Sequence, residues 1–117
     1  DPYLRAQVLQ WLFFEQYSHE PYIAVARFWL GYSGDPGRFA DQLGERQAGG
    51  YRALDAMESH LASRTFLVDE RYTIADIDLY AYTHVAGEGG FDLSEYPAIG
   101  AWLGRVAGQP GHIAITA

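Results

Sequence analysis

Arg71-Tyr72-Thr73-Ile74-Ala75-Asp76-Ile77 constrains the fold more than any other stretch of this chain. Thr73 has the form of an N-cap, a residue whose hydroxyl accepts a backbone N–H left free at the start of a helix. Asp76, three positions on, completes a capping box by reaching back to the Thr73 N–H, while the Thr73 hydroxyl takes the Asp76 N–H. Tyr72 before the cap and Ile77 inside the helix have the spacing of a hydrophobic staple. The pattern predicts a helix from about Ile74 to Ala86. Ile74, Ile77, Ala81, His84 and Val85 would share one side, and Gly87, Gly89 and Gly90 would stop it.

Helical periodicity extends along the rest of the chain. Asp1-Pro2 reads as a cap and first helical residue. Leu4, Val8, Trp11, Leu12, Phe13 and Tyr17 follow at helical steps until Pro21, which lacks a donor and should kink or interrupt the run. A second piece, from about Pro21 to Leu30, is expected to end at Gly31. Asp35-Pro36 opens the next helix, with Phe39, Leu43, Gly50, Leu54, Met57 and Leu61 on its apolar side. There, Gly44, Gly49 and Gly50 lower helix propensity, and they either admit a close neighbour or mark a bend. A last helix begins near Pro97, carries Ile99, Trp102, Leu103 and Val106 on one stripe, and ends at Gly108 and Pro110. Phe66-Leu67-Val68 is the one stretch with strand character. The expected fold is therefore all-α, a bundle of about five helices forming one domain over residues 1–117.

Composition narrows the function. The chain has fifteen acids against eight basic residues, all arginine, for a net charge of −7. That balance argues against a nucleic-acid partner and against an anionic membrane surface. No apolar run approaches the roughly 18 residues of a membrane span. With no cysteine there is no disulfide, cysteine nucleophile or thiolate metal site. Glu15-x-x-x-His19 and His84-x-x-x-Glu88 have ligand spacing on a helix, but each is a lone pair, so no metal site is expected. Asp76 and Asp78 are better explained by the cap and by a partly buried pairing with an arginine than by acid–base catalysis. Gly87-Glu88-Gly89-Gly90 follows a helix rather than opening one, so it does not cradle phosphate.

Several blocks together resemble the helical C-terminal domain of bacterial cytosolic glutathione transferases. They are Trp11-Leu-Phe-Phe-Glu-Gln-Tyr-Ser-His-Glu-Pro-Tyr22, Ala24-Val-Ala-Arg-Phe28, Phe66-Leu-Val68 through Asp76, and the Tyr96-Pro97, Trp102, Arg105-Val106, Pro110 series. The resemblance covers nearly the whole chain. It implies a thioredoxin-like domain preceding this one, which binds glutathione and supplies the residue that activates its thiol. It also implies a cytoplasmic homodimer that adds glutathione to a small hydrophobic electrophile.

In such enzymes the first helix of this domain lines the electrophile pocket. The resemblance therefore places Phe13 and Tyr17 as an apolar wall, with Gln16 or Glu20 orienting a polar substrate group. Bacterial beta-class relatives often carry asparagine where Phe13 stands, so a glutathione contact from that position is not expected. Glutathione is the co-substrate of the whole protein, and this domain alone is expected to bind none and to hold no catalytic residue. Trp11-Leu-Phe-Phe14 is apolar around a full turn, more than one core uses, and part of it is expected to face a partner. The alternative is a non-enzymatic helical docking module, since similar domains occur in translation-factor and synthetase assemblies.

Overall fold

The Asp1 carboxylate accepts the Tyr3 N–H at 2.8 Å and so opens α1 (Pro2–Phe14). The computed structural model describes residues 1–116. Proline at position 21 cannot donate to the carbonyl four residues back, and its ring would strike that carbonyl. The chain resolves this with a π-turn over Glu15–His19, in which the Glu20 N–H reaches the Glu15 carbonyl. Pro21 then lies in the first turn of α2 (Glu20–Gly31), where a missing donor costs nothing. The two helices run on as one rod. The helix continues through Gly31 and closes where the Tyr32 and Ser33 N–H groups both reach the Phe28 carbonyl, at 2.9 and 2.8 Å. Left-handed backbone comes only at Gly34, so Gly31 is not the cap.

A 3₁₀ turn over Pro36–Phe39 leads into α3 (Ala40–Leu61). Asp35 stands at its cap position, but its side chain makes no capping bond. Gly49, Gly50, Ala53, Leu54, Met57 and Leu61 are buried along α3. The glycines serve close approach rather than a bend. A Cβ at Gly49 would overlap the Tyr22 ring, and one at Gly50 the Phe91 ring. Gly44 has open space around it.

After α3 the chain makes a tight turn, where Val68 and Arg71 form an isolated antiparallel bridge and Asp69 and Glu70 take positive φ. Then come α4 (Ile74–Thr83), a 3₁₀ turn at Ala86–Gly89, and α5 (Pro97–Ala107). There are thus five α-helical segments among the described residues, with the first two fused, around a core of Ile23, Leu54, Met57, Leu79, Ile99 and Trp102. None is long and apolar enough to cross a membrane.

Helix α4 overturns two sequence expectations. It ends at Thr83 rather than Ala86. Its buried side is Ala75, Asp76, Leu79 and Thr83, while Ile74, Ile77 and Ala81 face outward. Apolar counting chose the wrong side because two of the four buried residues are polar. Their burial is compensated by partners far away in sequence, which periodicity does not register. Tyr72 and Ile77 both remain largely at the surface, so a staple between them adds nothing to the core.

Candidate functional site

The capping box forms at the start of α4. Thr73 Oγ1 accepts the Ala75 N–H at 3.2 Å, and Asp76 Oδ2 accepts the Thr73 N–H at 2.9 Å. Asp76 does more than cap. Its Oδ1 accepts the Leu67 N–H at 3.0 Å and the Trp102 indole N–H at 2.8 Å. One fully buried carboxylate therefore joins the turn before α4, the cap of α4 and the centre of α5. The hydrogen bonds it accepts all come from this domain itself, from Leu67, Thr73 and Trp102.

The face at issue for ligands lies on the α1–α2 rod. Trp11 and Phe14 pack against the core, with Trp11 over the His60 ring at 4.7 Å and edge-on to Phe14 at 5.2 Å. Phe13 and Tyr17 project the other way and are 71% and 85% exposed. Gln16 is exposed and donates to Glu15 Oε2 at 2.7 Å, while Glu20 is half-buried. Neither groove beside this rod brings these four together. A groove of about 500 Å³ lies between α1 and α3 against Trp11, Phe14, His60 and Leu67. A smaller one of about 250 Å³ is bordered by Tyr17, Ser18, Tyr22 and Arg52.

Behind the exposed aromatics the Glu15 and His19 pair forms part of a buried polar seam. Glu15 and His19 turn inward from the π-turn. His19 is fully buried and shares a hydrogen bond with Thr83 of α4, Nε2 to Oγ1 at 2.7 Å, while its Nδ1 has no partner. Burial pushes its pKa down to about 4, so the ring is neutral at pH 7. Burial raises Glu15 above the usual carboxylate range, and the Asp78 and Glu20 charges add to this against the lowering bond from Gln16. Burial likewise raises Asp78, whose buried Oδ2 has no hydrogen-bond partner. Among the described residues no arginine pairs with Asp78, contrary to the sequence expectation.

Neither lone ligand pair gains a third ligand among the described residues. His84 donates from Nδ1 to the Tyr80 carbonyl at 3.0 Å, and Glu88 meets Arg27 at 3.3 Å. Among the described residues no three potential metal ligands cluster.

Residues 23–110 match the family model described as glutathione S-transferase, C-terminal domain. The chain belongs to that family. A glutathione S-transferase from Pseudomonas fluorescens [Pf-5] is 57% identical, with a TM-score of 0.97 over 100% of this chain and 58% of that one. Another, from Xanthobacter autotrophicus py2, is 50% identical, with a TM-score of 0.92 over 96% of this chain and 55% of that one. Ure2p in complex with glutathione is 23% identical over 94% of this chain and 51% of that one; its TM-score of 0.80 shows the shared fold alone. Among curated proteins none matches the sequence. This glutathione S-transferase C-terminal domain thus spans between half and three-fifths of the length of its solved relatives.

Proposed function

We propose that this chain is the substrate-pocket and dimerisation domain of a cytoplasmic, homodimeric glutathione transferase-like enzyme that conjugates glutathione to small hydrophobic electrophiles. Family membership supports the reaction class. The exposure of Phe13 and Tyr17 supports the pocket and carries the reading. Two large rings one turn apart, on a helical rod whose opposite face packs against the core, form an apolar wall. A thioredoxin-like domain bound to glutathione would supply the other wall and the group that lowers the thiol pKa. Gln16 and Glu20 border the wall and would orient a polar group of the electrophile.

The test uses the two-domain parent protein with glutathione and an aryl halide. Phe13→Ser and Tyr17→Ser should each raise the KM for the aryl halide by about fivefold or more. The KM for glutathione should stay within about twofold. The isolated 117-residue chain should show no turnover above the uncatalysed rate. Parent activity with aryl-halide KM unchanged in both variants removes these residues from the pocket. A parent that never conjugates glutathione favours the docking-module alternative.

A further inference from the structure

The inward stripe of the α1–α2 rod runs Trp11, Glu15, His19, Ile23, a four-residue step repeated without a break. Each such step overshoots an α-helical turn by about 40°, so a straight helix would carry the stripe about 120° round and turn Ile23 away from the side that Trp11 faces. The wider π-turn over Glu15–His19 absorbs that drift.

The turn ends on His19, whose Nε2 shares a hydrogen bond with Thr83 Oγ1 of α4 at 2.7 Å. Both side chains are fully buried. Among the described residues it is the one side-chain hydrogen bond that His19 makes, since Nδ1 has no partner. On the other side of the turn lies the groove of about 250 Å³. Phe14 borders it from before the turn, Tyr17 and Ser18 from within it, and Tyr22 from after it. Helix α3 completes the groove with Arg52 and with Gly49, whose missing side chain admits the Tyr22 ring. The rotation of the helix at the π-turn therefore decides how Tyr17 stands to Phe14 and Tyr22.

We propose that His19 and Thr83 are positioning residues of the electrophile pocket, their bond holding the π-turn in the register that sets Tyr17 in the pocket wall. This rests on the pocket reading given above. Loss of the Thr83 hydroxyl leaves both imidazole nitrogens buried without a partner, which favours swinging the ring toward water. His19 closes the turn, so Tyr17, two residues before it, rotates with it.

The experiment reads the two-domain parent in two ways. One is hydrogen exchange of the Glu20 amide, which closes the π-turn on the Glu15 carbonyl. The other is the KM for an aryl halide. Thr83→Val, nearly isosteric, should speed Glu20 exchange about tenfold and raise the aryl-halide KM about fivefold, with the glutathione KM held within about twofold. Thr83→Ala removes the same hydroxyl without a branched side chain and should act alike. Thr83→Ser keeps the hydroxyl and should hold exchange and KM within about twofold. Leu79→Ala, on the same buried face of α4, lowers stability without touching the bond and should leave the aryl-halide KM within about twofold. Unchanged Glu20 exchange without the hydroxyl overturns the proposal, since the bond would not be what holds the turn. Faster exchange with an unchanged aryl-halide KM overturns it as well, leaving the bond a contact of the fold alone. An equal rise in KM for Leu79→Ala does the same, because general loosening would then be the cause. Failure of the pocket reading looks different: Phe13→Ser and Tyr17→Ser would leave KM unchanged while Thr83→Val still speeds exchange, and Thr83 would then position no pocket.

Discussion

The Trp102 indole N–H donates to Asp76 Oδ1 at 2.8 Å, joining the middle of α5 to the first turn of α4 across 26 residues of chain. Both partners are fully buried. The bond is charge-assisted and sits where water cannot replace it, so it belongs to the stronger class of protein hydrogen bonds.

Removing the carboxylate strands three buried or half-buried donors together. Asp76→Ala should therefore destabilise by about 3–5 kcal/mol. Thr73→Ala, which loses one cap bond, should cost about 0.5–2 kcal/mol. Trp102→Phe leaves Asp76 with its remaining donors and should fall between them, and a double-mutant cycle should give a coupling above about 1 kcal/mol. Urea unfolding measures all of these. An Asp76→Ala loss no larger than that of Thr73→Ala would reduce Asp76 to an ordinary cap.

Three glycines of α3 should respond with opposite signs. Gly44→Ala enters open space and should stabilise by about 0.5–1 kcal/mol through helix propensity alone. Gly49→Ala and Gly50→Ala gain the same propensity but drive a methyl into the Tyr22 and Phe91 rings, and should destabilise by about 1–3 kcal/mol. Thermal melts decide the signs. Stabilisation at all three positions would mean that the glycines are not there for close packing.

His19 sets an acid limit on stability. Its pKa is depressed from 6.5 to about 4, so the unfolded chain takes up a proton before the folded one does. The stabilisation is present above pH 6.5 and is lost as pH falls through about 4, amounting in full to about 3 kcal/mol. Glu15 and Asp78, raised in the fold, act in the opposite sense. Their contribution is present at low pH and is lost as pH rises through their folded values. His19→Gln should remove the His19 part of the slope between pH 6.5 and 4. An unfolding free energy with the same pH slope in both proteins would show that His19 is not held neutral by burial.

Glu58 caps a helix that has no local cap. Tyr96 provides no side-chain bond at the start of α5. Glu58 of α3 accepts the Ala98 and Ile99 N–H groups instead, at 2.9 and 3.0 Å. Glu58→Ala should cost about 1–2 kcal/mol. Hydrogen exchange should localise the loss to the first turn of α5, and uniform loosening of the domain would contradict a capping role.

By itself the sequence determined the all-α class, the capping box, the close-packing glycines as one of two readings, and the apolar stripe of α5. Each depends on residues within about two helical turns of one another, where backbone geometry dictates which side chains are neighbours. The tertiary structure decided which face of α4 is buried. Asp76 and Thr83 point inward only because Leu67, Trp102 and His19 satisfy them there. It also decided that Pro21 produces a π-turn that sends Glu15 and His19 inward and leaves Phe13 and Tyr17 outside. The distant cap from Glu58 was equally invisible in the sequence. Polar burial is favourable only when donor meets acceptor, and in this domain those partners lie 9 to 64 residues apart, beyond the reach of any local pattern.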